Sequence, residues 1–266
     1  MNSQDNGIAV ITGASSGIGA LYAERFARRG HDVILVARNR ERLERVAQRI
    51  AEASGRNAQI LVADLNDPGD LAHVETVLRG DPRIHVLVNN AGFGATASLL
   101  ASDPLRMEEM IALNVTALSR LTHAVAPGLV ARGGGAIINI ASIVAIAPEL
   151  LNGVYGGTKA FVLAFSQSLH HQLADKGVRV QVVLPGATAT EFWDVAGTPV
   201  AHLPDEIVMR AEDMVDAALK GFDQGEVVTI PSLPDVEDWH AFEAARRALG
   251  PGLSRSVPAP RYGSSG

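Results

Sequence analysis

Short runs dominated by Val, Ile, Leu and Ala alternate along this 266-residue chain with longer stretches in which apolar residues return every three or four positions. The short runs are Ile8 to Thr12, Asp32 to Ala37, Gln59 to Ala63, His85 to Val88, Gly135 to Ala141, Val178 to Leu184 and Glu226 to Ile230. They are largely apolar rather than strictly alternating, which predicts strands covered on both faces, as in a parallel sheet. The longer stretches predict helices over about 18–29, 40–54, 69–78, 105–131, 154–176 and 211–221. Strand and helix in strict alternation build βαβ units with right-handed crossovers. The fold class is therefore α/β, a doubly wound parallel sheet of about seven strands with helices on both faces.

Two regions break the rhythm. Residues 187–210 form a long insertion after the sixth strand, carrying Phe192, Trp193, Pro199 and Pro204. A long segment leaving the C-terminal end of a strand is where α/β proteins place substrate lids. Residues 231–266 form a C-terminal extension with one more helix at about 236–249 and a tail, from Arg261 to Gly266, read as mobile. No linker divides the chain, so residues 1–266 are expected to form a single domain.

Composition narrows the function. A hydrophobic fraction of 47% supplies a large core, and 26 glycines point to tight turns and close backbone approaches. The net charge of −6, with both signs interspersed, lacks the basic face that nucleic-acid binding needs. With no cysteine, disulfides, thiolate chemistry and Cys-based metal sites are excluded, and no metal site is expected. The polar start, Met1 to Gly7, lacks the regions of a signal peptide, and the longest apolar stretch, Ala136 to Pro148, is too short to span a bilayer. A cytoplasmic protein with no membrane partner is the expectation.

Between the first strand and first helix lies Thr12-Gly-Ala-Ser-Ser-Gly-Ile-Gly19. Gly13, Gly17 and Gly19 remove side chains that would block a turn and a pyrophosphate; the following helix offers unpaired N–H groups to the phosphates. No Lys-Ser/Thr follows Gly19, which disfavours a P-loop. An NAD-type site usually ends its second strand in an acidic residue that grips the ribose 2′-hydroxyl. Here Ala37 and Arg38 stand instead. A guanidinium pairs with a 2′-phosphate in bidentate fashion, so NADP(H) is preferred over NAD(H). Arg38 also fits as the first of several exposed arginines on the next helix.

Tyr155 and Lys159 stand four residues apart, on one helix face, in a chain with only three tyrosines. A phenol is a poor acid–base catalyst at neutral pH, and a neighbouring ammonium would pull its pKa toward the working range. The same spacing also suits a solvated helix face.

Taken together, Gly-x-x-x-Gly-x-Gly at the first turn and Tyr-x-x-x-Lys downstream resemble the short-chain dehydrogenase/reductase family, a Rossmann-type fold. Further matches run from Gly7 to about Ile230. They include Asn89-Asn-Ala-Gly92, Asp64 at the end of the third strand, Asn114, Ser142 thirteen residues before Tyr155, and Pro185-Gly186 with Thr190. The resemblance implies hydride transfer between nicotinamide and a carbonyl or secondary alcohol. Tyr155 would be the general acid/base, Lys159 would lower its pKa and bond the nicotinamide ribose, Ser142 would hold the substrate oxygen, and Asn114 would position water for proton resupply. It also implies cofactor contacts from Gly13, Ser15, Ser16, Gly17, Ile18, Gly19, Arg38, Asp64, Leu65, Asn90, Ala91, Gly92, Tyr155, Lys159, Pro185, Gly186, Thr188 and Thr190, with Asn89 bracing the sheet. Asp64 also fits as a cap for the helix near Pro68.

The substrate is a small carbonyl or alcohol compound of unspecified identity. Ile143, Val144, Leu150, Leu151, Phe192 and Trp193 suit an apolar one, and His202 and Glu149 are candidate polar contacts. Phe161, Phe165 and Leu169 form a stripe on another face of the Tyr155 helix, where the resemblance implies a homodimer or homotetramer. The alternative is a non-catalytic dinucleotide-binding regulator or scaffold, in which Ser, Tyr or Lys is typically lost. A sugar-nucleotide epimerase or dehydratase would need a larger C-terminal substrate domain.

Overall fold

The structure is a computed structural model and describes residues 6–263. Met1 to Asp5 and Ser264 to Gly266, parts of the polar start and of the tail read as mobile, lie outside the described residues. The chain separates into two compact units, one ending at Pro231 and one beginning at Ser232.

The first unit alternates strand and helix as far as the fourth strand: β1 (Ile8–Thr12), α1 (Gly17–Arg28), β2 (Asp32–Ala37), α2 (Arg40–Ser54), β3 (Ala58–Val62), α3 (Pro68–Gly80) and β4 (Ile84–Asn89). It continues with α4 (Pro104–Ile111), α5 (Leu118–Ala131), β5 (Gly135–Ile140), α6 (Gly153–Leu173) and β6 (Val178–Val183). The insertion adds β7 (Thr188–Ala189), α7 (Phe192–Ala196) and β8 (Met209–Arg210), before α8 (Ala211–Gln224) and β9 (Val228–Thr229). Seven strands pair in parallel in the order β3-β2-β1-β4-β5-β6-β9. β1 to β3 step one way and β4 onward the other, so the order reverses between β1 and β4, where α/β sheets open a crevice at the C-terminal strand ends.

The all-apolar strands follow from two cores. Ala9 and Ile11 of β1 face a cluster with Tyr22, Phe26, Leu43 and Phe222, while Ile8 and Val10 face another with Leu71, Leu121 and Leu129. Successive strand residues point to opposite faces, so a strand buried on both sides shows no polar alternation.

Two expectations change. Residues 105–131 do not form one helix: a π-helical turn, Ala112–Ala117, separates α4 from α5. The extra residue of a π turn leaves the apolar pattern nearly intact, so the pattern does not reveal it. β9 is two residues long, shorter than the predicted run from Glu226 to Ile230. The insertion is ordered by a parallel pair, Thr188–Met209 and Ala189–Arg210, that draws its two ends together.

The second unit holds α9 (Val236–Ala248), capped by Asp235, whose side chain accepts from the Glu237 N–H at 2.9 Å. Arg246 forms a two-bond pair with Glu243, each bond 2.9 Å, and Trp239 stacks on Phe242.

Candidate active site

The turn after β1 is locked to the end of β4. Asn90 Nδ2 donates to the carbonyls of Thr12 at 2.9 Å and Gly13 at 3.2 Å. The Thr12 hydroxyl oxygen accepts from the N–H groups of Asn90 and Ala91, both at 3.0 Å. A Cβ on Gly19 would strike the Gly13 carbonyl and the Asn90 amide, and Gly13 itself has φ +66°. These glycines are therefore required by packing as well as by turn geometry. Ser16 caps α1 in an extended conformation without spending its side chain on the helix, so first-turn N–H groups point outward. A cleft of about 690 Å³ opens there, bounded by Ser15, Ser16, Gly17, Arg42, Thr190 and Glu191. Arg42 and Glu191 form an ion pair across it. Arg38 stands exposed at the end of β2, 3.7 Å from the Asp64 carboxylate. Asp64 accepts from the Asn66 N–H, and the cap of α3 is Asp67, not Asp64.

A buried polar chain fixes the helix that carries Tyr155. Asn89 Nδ2 donates to Thr122 Oγ1 at 3.0 Å and Asn139 Oδ1 at 2.9 Å, and Asn139 Nδ2 donates to Ser166 Oγ at 2.9 Å. Asn89 thus braces the sheet against α5 and α6. Asn114, inside the π turn, donates to the Phe93 carbonyl at 2.9 Å and to Thr158 Oγ1 at 3.1 Å, while its Oδ1 accepts from the Phe93 N–H. The N-cap of α6 is Asn152, which accepts from the N–H groups of Val154 and Tyr155 and donates to the Ala97 carbonyl at 2.6 Å. Tyr155 is thereby set in the first turn of α6.

Ser142, Tyr155 and Lys159 converge at the ends of β5 and α6, all three buried. Ser142 Oγ donates to the Pro185 carbonyl at 3.4 Å and stands near enough to the phenol to lower its pKa. Lys159 Nζ donates to the Ile140 carbonyl at 2.8 Å and sits 5.7 Å from the Tyr155 ring centroid. The electrostatic direction differs from the sequence expectation. Burial pushes the phenol's pKa up, with Ser142 opposing it. Burial also pushes Lys159 down to about 8. The expectation rested on the ammonium, whereas burial in so dry a site acts on the phenol in the opposite direction.

Three comparisons bear on this geometry. The family model for short chain dehydrogenases matches residues 7–199. The chain belongs to the short-chain dehydrogenase/reductase family. It is thus an NAD(P)-dependent oxidoreductase acting between CH–OH and C=O. A short-chain dehydrogenase from Sphingobium yanoikuyae, solved in complex with NADPH, is 50% identical, with a TM-score of 0.93 over 96% of this chain and 100% of that one. The bulky-bulky ketone specific alcohol dehydrogenase from Comamonas testosteroni is 44% identical, with a TM-score of 0.89 over 96% of this chain and 98% of that one. A very-long-chain 3-oxoacyl-CoA reductase from Anas platyrhynchos is 37% identical over 208 residues, 76% of this chain and 66% of that relative's length. No helix among the described residues is long and apolar enough to cross a membrane.

In this short-chain dehydrogenase the surroundings of Tyr155 are apolar: it clusters with Met110 and Val144, and Phe93, Leu151, Val154 and Phe192 pack against that cluster. Of the other residues read as substrate contacts, Leu150, Glu149 and His202 are exposed. Trp193 is buried, and its indole donates to the Thr188 carbonyl at 3.0 Å, which makes it an anchor of the insertion. Thr190 meets Gly17, where a Cβ would lie 3.3 Å from its methyl, while the Thr188 hydroxyl turns back to the Gly186 carbonyl at 3.1 Å. Leu65 is buried, while Ile18 and Ala91 are partly buried and pack against the two cores. Sequence reading missed Thr12, Asn152 and Arg42 as parts of the site. Asn152 carried a signal, an Asn immediately before a helix three residues ahead of Tyr155.

Proposed function

We propose that this short-chain dehydrogenase uses NADP(H) in preference to NAD(H) and reduces uncharged, apolar ketones, with Tyr155 as the general acid. The observation that carries this reading is the buried phenol, set beside buried Ser142 and Lys159 in a cluster of apolar side chains. Burial keeps the proton on Tyr155 for a carbonyl oxygen to take up, and Ser142 opposes the burial that makes that proton harder to give. Ser142 holds that oxygen by a second hydrogen bond and resists the rise in phenol pKa. Lys159 and the Asn114–Thr158 bond keep the first turns of α6 in place, and Asn114 orders water for proton resupply.

The residues fit a dinucleotide. The glycine turn brings Ser15, Ser16 and Gly17 to the wall of the cleft, and α1 presents unspent N–H donors beside it. Ser15, Ser16, Gly17 and Ile18 would hold the pyrophosphate, with Asp64, Leu65, Ala91 and Gly92 along the nucleoside. Pro185, Gly186, Thr188 and Thr190 would hold the nicotinamide end. Arg38 at the end of β2, with no carboxylate in its place, favours a 2′-phosphate, and the Sphingobium relative in complex with NADPH supports that preference. When bound, the cofactor supplies the hydride; the proton comes from the protein. The ketone specificity of the Comamonas relative supports the substrate class.

The test is a ketone panel followed by NADPH absorbance, with nucleotide titrations alongside. Wild-type protein should reduce apolar ketones and bind NADPH more tightly than NADH. Tyr155→Phe should retain NADPH binding and lose at least about 10²–10⁴-fold in turnover, the usual share of general acid catalysis. Near-normal turnover by that variant refutes the assignment, and tighter binding of NADH refutes the preference.

A further inference from the structure

Phe192 opens α7 and its ring lies over the phenol, 5.7 Å from the Tyr155 ring centroid. Its tip rests on Gly94: a Cβ at that position would sit 2.5 Å from Phe192 Cζ and 3.2 Å from Tyr155 Cε2. Gly94 is not among the glycines with positive φ, so the absence of a side chain there serves the ring and not the backbone. The helix behind the ring is firmly held. Thr96 donates to the Ala196 carbonyl through both its N–H and its hydroxyl, each at 3.0 Å, and Thr198 Oγ1 donates to Thr96 Oγ1. Trp193 anchors the same helix through Thr188. Phe192 itself is only half-buried, and its N–H reaches Thr190 Oγ1 at a long 3.4 Å. Rotation of this side chain thus opens the space over the phenol while α7 stays in place.

We propose that Phe192, socketed on Gly94, is the specificity-determining wall of the site. Its ring occupies the volume that the second substituent of a ketone must enter, and ketones with two bulky apolar substituents are admitted only by displacing it. This rests on the functional reading above and extends it to a named residue.

The probes are acetophenone, with a methyl as second substituent, and hexanophenone, with a five-carbon chain. Phe192→Ala should raise kcat/KM for hexanophenone relative to acetophenone by about tenfold or more, the scale on which apolar pockets discriminate size. NADPH affinity should not change. Gly94→Ala should alter the ketone ratio in the wild-type background and leave it unaltered in Phe192→Ala, because the ring it displaces is gone and its contact with Tyr155 is common to both. A readout free of turnover is nitration of tyrosines by tetranitromethane, mapped by mass spectrometry. Tyr155 should react severalfold faster in Phe192→Ala, with exposed Tyr262 and fully buried Tyr22 as unchanged controls. A ketone ratio that stays constant in Phe192→Ala, or Tyr155 nitration that does not rise, overturns the wall. Wild-type protein that reduces no ketone overturns the functional reading instead, and the nitration comparison still decides the position of the ring.

Discussion

Lys159 holds an ammonium in a site where water cannot solvate it, and the cost is readable. A fall of its pKa from 10.5 to about 8 by burial corresponds to roughly 3 kcal/mol against the charged form. Below pH 8 both folded and unfolded chains carry the proton, so the folded state bears the whole cost. Between about pH 8 and 10.5 the unfolded chain binds more protons, and stability rises with pH. Lys159→Met should therefore stabilise the protein at pH 7 while abolishing ketone reduction. Losing the bond to the Ile140 carbonyl takes back about 1 kcal/mol, leaving a gain of about 2. The gain should fade as pH approaches 10.5. Urea unfolding at pH 7 and pH 10 measures this, and a variant less stable than wild type at pH 7 contradicts it. Helical spacing was enough to put Tyr155 and Lys159 on one face, and the family resemblance added Ser142. The direction of the phenol's pKa was not legible, because it depends on how much water Met110, Val144 and Phe192 exclude, and no local spacing encodes that.

At the scale of elements, the start of α6 decides where the phenol points. Asn152 is buried, caps the Val154 and Tyr155 N–H groups, and ties that turn to the loop after β4 through the Ala97 carbonyl. Asn152→Ala should cost about 2 kcal/mol, the upper end for a cap, since its bonds to the Ala97 carbonyl and Ser102 Oγ are lost as well. Because Tyr155 is displaced and the glycine turn is untouched, kcat should fall while NADPH affinity holds. Equal losses in both would show that the cap supports the fold alone. Strand and helix limits were legible wherever the pattern is strong, as in β1, β2 and α2. The π turn around Asn114 was not, since it adds one residue to a helix whose apolar positions still read as continuous. The β7–β8 pair escaped for another reason: two-residue strands are too short to show a period.

Across the whole molecule, strict alternation fixed the class of fold because parallel strands need crossovers, and only a few strand orders satisfy that rule. One surface lies outside this logic. α6 buries Tyr155, Lys159, Val162 and Ser166 on its inner face, yet on another it exposes Phe161, stacked on Phe165 with ring centroids 5.5 Å apart. An aromatic pair on the outside of a long central helix is costly to leave in water, and Phe161 remains 39% exposed. We propose that a second copy of the chain covers it, in a homodimer or homotetramer. Light scattering at micromolar concentration should then give a dimer or larger mass for wild type. Phe161→Glu should shift the mass toward the monomer, since pairing two copies about a twofold axis would bring the introduced carboxylates near one another in an apolar interface. A monomeric wild type rejects the pairing. A Phe161→Glu variant that keeps the full oligomeric mass moves the interface elsewhere on the surface.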